Sequence, residues 1–201
     1  MLIRGHQLWR KPASARKMFQ DRAQQFRNRL GWDVSVDHEG HEIDEYDSGK
    51  ALYIVLEGPN NPHIASMRLL PTTEPTMLND HFVDILPTGR IESSKIWEST
   101  RFCVTEAAPP GTSLRLISHA SLCLRHFGVE KLVAVFDRRM KRVYRLLEIE
   151  PVSLGAKTCD GYQVFAGIWD LKGEKFDYLC QTAAEENVAD QISKEEMLTV
   201  V

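Results

Sequence analysis

No apolar run in the sequence approaches the length of a membrane span, and the amino terminus lacks an apolar signal core. Neither a spanning helix nor a secretory leader is therefore expected. Cysteine is scarce: Cys103, Cys123, Cys159 and Cys180 lie far apart, with no C-x-x-C pair. That pattern fits reduced, buried thiols in a cytoplasmic protein better than a disulfide framework. Charge of one sign is not in excess either, since 25 Lys and Arg stand against 28 Asp and Glu, a net −3. Nothing global points to nucleic acid or to a membrane surface. No repeat and no linker divides the 201 residues. They read as one domain, 1–201, large enough to bury a core without staples, with an acidic tail from about 186 expected to fray.

What is present centres on Lys95–Val104, a stretch with the β-branched and aromatic enrichment of a strand that also holds Glu98 and Arg101. Side chains alternate along a strand, so a regular one sends these two to opposite faces. If both serve one site, the strand must break its alternation, most simply with a β-bulge. Taken alone, this E-x-x-R reads equally well as a structural ion pair at a sheet edge.

The other segments follow in order. Leu2–Gln7 reads as a strand, and about Ala13–Leu30 as a helix stopped by Gly31, with Trp32 immediately after. Residues 33–50 form a polar, acidic loop. His38 and His41 stand beside acids there, but the spacing fits no closed zinc or calcium pattern, and no metal is expected. Strands are expected at 51–57 and 63–70, joined through Gly58–Pro62. Arg68 lies inside the second apolar run and needs a carboxylate from the acidic loop or from Glu98. A helix at about 112–127, a buried strand at 131–137, a helix at 138–149, strands at 152–154 and 161–171 and a helix at about 172–184 complete the chain. On the 138–149 helix, Arg138, Lys141, Arg142 and Arg145 share one stripe, flanked by Arg139. A solvated face and a docking surface for an acidic partner both fit it.

Taken together, these segments resemble the acyl-homoserine lactone synthases, the autoinducer synthases of quorum sensing. The resemblance rests on Arg22, Phe26 and Trp32 in R-x3-F-x5-W spacing, on Glu42-x-Asp44-x-x-Asp47, on Arg68-Leu69-Leu70-Pro71-Thr72, on Phe82, and on Trp97-Glu98-Ser99-Thr100-Arg101-Phe102. Thr100 stands where the family usually has serine, and a hydroxyl is kept. The resemblance implies an α/β fold of N-acetyltransferase type, a three-layer sandwich whose twisted, mostly antiparallel sheet is splayed in its middle and flanked by helices. It implies acyl transfer from acyl carrier protein to the amine of S-adenosylmethionine, then lactone closure with release of methylthioadenosine. S-adenosylmethionine is then a substrate, and no cofactor is implied.

The roles implied are catalysis by Glu98 and Arg101, and S-adenosylmethionine binding by Arg22, Phe26, Trp32, Asp44, Asp47 and Arg68. An acyl-chain pocket is expected from Phe82, Phe102, Val104, Leu122, Val133, Ala134 and Phe136, and carrier docking from Arg138, Arg139, Lys141, Arg142 and Arg145. Synthases preferring 3-oxo chains tend to carry threonine near Ala134, so a plain, hydroxylated or aryl chain fits better here. A coenzyme A user of this fold would hold pyrophosphate on a glycine-rich loop. This chain has Ala108-Pro109-Pro110-Gly111-Thr112 there, and proline offers no amide. That favours a carrier-bound donor. The rivals are a coenzyme A-dependent N-acyltransferase of the same fold and a non-catalytic S-adenosylmethionine sensor.

Overall fold

The structure, a computed structural model, describes residues 1–159 and 161–186; the tail expected to fray lies outside the described residues from 187 on. Among them run β1 (Leu2–Arg4), α1 (Pro12–Ala23), β2 (Leu52–Gly58), β3 (Asn61–Pro71), α2 (Met77–His81), β4 (Ile96–Val104) and α3 (Thr112–His126). They are followed by β5 (Lys131–Asp137), α4 (Arg138–Leu146), β6 (Val152–Cys159), β7 (Tyr162–Asp170) and α5 (Glu174–Glu185). The strands form one sheet in the order β1-β2-β3-β4-β5-β7-β6. Every pairing is antiparallel except β4–β5. That parallel ladder ends at Glu98↔Val133, after which the two strands part. The expected splayed, mostly antiparallel sheet flanked by helices is the fold observed.

Both faces are covered, which is why β2 and β3 read as nearly continuous apolar runs rather than alternating ones. On one face Ala15, Met18 and Phe19 of α1 pack on Tyr53, Val55 and Leu70. On the other, Leu116, Ala120, Cys123 and Leu124 of α3 pack on Leu52, Ile54, Met67 and Leu69. α4 joins that second face through Tyr144, which sits against Phe136 and Ala134.

Three of the boundaries that differ from the sequence reading bear on the site and its surroundings. The first strand stops at Arg4 and becomes a 3-10 turn, Gly5–Arg10. A Cβ at Gly5 would stand 1.8 Å from the Ser48 carbonyl oxygen, so the chain crosses there only without a side chain. The first helix is α-helical to Ala23 and a π turn over Gln24–Arg29. That turn carries Gln25 to β4, where its side chain donates to Phe102 O at 2.8 Å and accepts from Val104 N at 3.2 Å. Since Thr105 N bonds back to Ile64 on β3, Gln25 satisfies backbone groups on the edge that β5 has left. The third difference is β6, which runs on to Cys159.

Gly155 carries β6 past the Val83–Ile85 turn, where a Cβ would lie 2.0 Å from the Ile85 carbonyl oxygen. Gly155→Ala must displace that turn or the strand, at a cost of about 1–3 kcal/mol. Urea unfolding checks this, and an unmoved midpoint contradicts it.

Candidate active site

Glu98 and Arg101 do share a face, and a bulge is the reason. The β3–β4 register shifts between Ser66 and Arg68, so Met67 faces two residues of β4, and Arg101 takes a φ of 52°. A left-handed residue with a side chain costs roughly 1–2 kcal/mol. Its guanidinium offsets that cost by bonding Glu42 Oε1 at 2.8 Å and Asp44 Oδ2 at 2.7 Å.

These bonds belong to a closed ring of alternating charge. Arg22 Nε reaches Glu42 Oε2 at 2.6 Å, and Glu42 and Asp44 both hold Arg101. Asp44 also takes both terminal nitrogens of Arg68, the Nη2 bond being 2.9 Å. Arg68 Nη1 lies 2.9 Å from Asp47 Oδ1, and Asp47 returns to Arg22 through two bonds of 2.9 and 2.8 Å. Three arginines thus balance three carboxylates. Arg68 also donates to Thr100 Oγ1 at 2.9 Å, and Tyr53 donates to Asp47 at 2.6 Å. Only Asp44 and Arg101 show a solvent-facing edge, 11% each. Beside that edge Phe26 lies under the Arg101 guanidinium, and Trp32 stacks on Phe26 at 5.2 Å.

Glu98 is fully buried. Its carboxylate accepts Leu78 N at 2.8 Å and Met77 N at 3.0 Å. Burial pushes its pKa up to about 7; the two amides and the charges of Arg68 and Arg101 hold it from going higher. Burial acts the same way on Asp47, but the Arg22 hydrogen bonds and the charges of Arg22 and Arg68 more than reverse it, leaving that carboxyl well below its ordinary range.

Across the sheet lies a cavity of about 250 Å³, lined by Ser99 and Phe102 of β4, Ile117 and Ala120 of α3, Leu132, Tyr144, Trp169 and Phe176. Of the seven residues expected to line an acyl pocket, Phe102 lines this cavity. The pairing Glu98↔Val133 turns Val133 to the opposite face, where it packs with Leu78 and Phe82. Ala134 and Phe136 pack with Tyr144, and Phe136 also lies against Trp169. Val104 packs in the α3 core, and Leu122 is half-buried in α3 without lining the cavity. Of these, Val133 is the one set by strand register, since one residue of alternation moves a side chain to the other face.

Arg138, Arg139, Lys141, Arg142 and Arg145 are all exposed on α4. Arg139 pairs with Asp137 and Arg145 with Glu150. Among the described residues no group of three or more His, Cys, Asp and Glu could hold a metal ion, and His41 bonds Asp37. No helix among them is long and apolar enough to cross a membrane. The loop pattern contains Glu42 without marking its role, which is to join Arg22 to Arg101. Its signal was the acid spacing itself. Gln25 gave no signal.

Asp47→Asn leaves buried arginines short of charge and should destabilise the fold by about 3–5 kcal/mol, read by urea unfolding at neutral pH. Because the folded pKa of Asp47 is depressed, its contribution is present above its ordinary value of 3.8 and lost as pH falls toward the folded value. The gap between the proteins should therefore narrow in acid, and an equal gap at every pH contradicts the ring.

Comparison with known proteins gives the same family from two directions. Residues 6–149 match the family model described as autoinducer synthase. An acyl-homoserine-lactone synthase of Rhizobium etli is 35% identical over 167 residues, covering 79% of this chain and 77% of that relative. The crystal structure of TofI in a ternary complex with an inhibitor and MTA superposes with a TM-score of 0.71 at 26% identity, covering 82% of this chain and 88% of that one. BjaI, a CoA-dependent acyl-homoserine lactone synthase with SAM and isopentyl-CoA, superposes at 0.80 over 91% of this chain and 88% of that one; at 20% identity the likeness is one of fold. The chain belongs to the autoinducer synthase family, the acyltransferases that make acyl-homoserine lactones.

Proposed function

We propose that this chain acylates the amine of S-adenosylmethionine from an acyl thioester and closes the lactone in the same pocket, without a cofactor, in the cytoplasm. The observation that carries the reading is the position of Glu98. It is buried at the last β4–β5 pair, with the charged ring on its own face and the cavity opening at Ser99 and Phe102 on the other. In this reading Asp44 meets the ammonium and sulfonium, Arg101 clamps the carboxylate, and Phe26 and Trp32 offer a ring face worth ~0.5–2 kcal/mol to a cation. Arg22, Arg68 and Asp47 hold that edge from behind.

Glu98 takes the proton from the α-ammonium, directly or through one water. The free amine attacks the thioester carbonyl, and the thiol leaves. Backbone amides at the parted edge of β4 face the oxyanion. The homoserine carboxylate then displaces the sulfide at its own γ-carbon, forming the lactone and releasing methylthioadenosine. Nothing but alignment is required for that step, and well-aligned intramolecular reactions reach effective molarities of roughly 10⁵–10⁸ M.

The acyl donor is carrier-bound in this reading. Thr112, at the start of α3, turns both its N–H and its hydroxyl onto the Pro109 carbonyl, at 3.2 and 2.6 Å, so that end is not an open amide cradle. On α4, Arg138, Lys141 and Arg142 make no ion pair among the described residues and suit an acidic carrier.

Methylthioadenosine release tests both points. The rate should fall about tenfold per pH unit below pH 7, where Glu98 is protonated, and Glu98→Gln should lose about 10²–10⁴-fold; a flat pH profile with an active variant contradicts the base. Arg138→Glu with Arg142→Glu should raise KM for acyl carrier about tenfold at low salt, less so at high salt, and leave KM for S-adenosylmethionine and for acyl-coenzyme A unchanged. Equal kinetics with carrier removes the docking face.

A further inference from the structure

Behind the charged ring lies a second polar chain that the proposed reaction does not use. His63 is 0% exposed and Ser66 1% exposed. The imidazole places Nδ1 2.7 Å from Asp21 Oδ2 and Nε2 2.9 Å from Ser66 Oγ. Asp21 also pairs with Lys17, one turn earlier on α1. Burial works to raise the Asp21 carboxyl, and the hydrogen bonds and charges of His63 and Lys17 more than offset it, so it is held ionised. A carboxylate only accepts, and Nδ1 therefore carries a proton.

The order Ser-His-Asp matches a nucleophile chain, but Ser66 is sealed and does not line the cavity. Its connectivity is what matters. Asp21 precedes Arg22 on α1, and Ser66 lies two residues from Arg68 on the same face of β3, at the bulge. The same two elements are thus tied twice. One tie, Arg22–Asp47–Arg68, belongs to the ring. The other, Asp21–His63–Ser66, carries no group that faces a ligand. A salt ring tolerates shifts of its members, because charges attract over a range of distances and angles. An imidazole held at both nitrogens does not, since hydrogen bonds weaken steeply with angle.

We propose that His63 is a positioning residue for the S-adenosylmethionine half of the site: a buried strut that sets the spacing of α1 from β3, and with it the place of Asp44 and Arg101. The proposal rests on the S-adenosylmethionine reading above. The acyl cavity lies on the other face, against α3, so the strut acts on one substrate alone.

The test compares His63→Ala and Ser66→Ala with the wild-type chain, measuring S-adenosylmethionine Kd by calorimetry and KM for each substrate. His63→Ala should weaken S-adenosylmethionine about tenfold and Ser66→Ala about fivefold, as expected for two lost hydrogen bonds and one. KM for the acyl donor should stay put, and added imidazole should restore binding to His63→Ala. Unchanged affinity, both KM values rising together, or no rescue would overturn the proposal; if His63→Ala does not fold, Ser66→Ala decides. A ¹⁵N spectrum of the wild-type imidazole should show Nδ1 protonated, and a bare Nδ1 would overturn it independently of activity. A wild-type chain that does not bind S-adenosylmethionine would instead remove the reading on which this one stands.

Discussion

Six charges that must cancel one another, four buried and two at a solvent edge, set the terms for the rest of this fold. Each costs several kcal/mol to take out of water unless its partners are well placed. Arg22, Glu42, Arg101, Asp44, Arg68 and Asp47 meet that condition by alternating around a closed circuit. The circuit draws on α1, the acidic loop, β3 and β4. It gives an otherwise irregular loop a fixed path: Asp44 N donates to Asp47 and Tyr46 N to Asp44. Stability and site are therefore one structure here, and the two members that reach solvent are also those able to meet a ligand.

The second constraint is geometric. β4 must send Arg101 to the ring and Glu98 to the same face, then turn Phe102 to the cavity. The bulge opposite Met67 accomplishes this. Parting β4 from β5 after Glu98 opens the cavity beside it, and leaves strand edge groups that Gln25 partly satisfies. A carboxylate at that fork is surrounded by protein, which accounts for its raised pKa and fits a proton acceptor working near neutrality.

Much of this was legible in the chain. β5 has the bounds expected of it, and the paradox of Glu98 and Arg101 three residues apart forecast the bulge. Arg68 inside an apolar run announced a buried partner. Other features left no trace. Periodicity does not register one extra residue in a helix, so the π turn at Gln24–Arg29 passed as α-helix. Which side of a strand meets the cavity depends on register: Val133 and Leu132 differ by one position and face opposite sides of the sheet. Which acid meets which arginine depends on loop path, and no spacing rule encodes it. His63 sits in a hairpin strand where a lone histidine carries no pattern.

The most direct test of the account is a crystal structure of the chain with S-adenosylmethionine and a non-hydrolysable acyl thioester analogue. The account predicts the α-amine within about 2.6–3.2 Å of a Glu98 oxygen, or one water from it, with the sulfonium beside Asp44 and the acyl chain past Phe102. An amine held away from Glu98, or an acyl chain on the α1 face of the sheet, would contradict it.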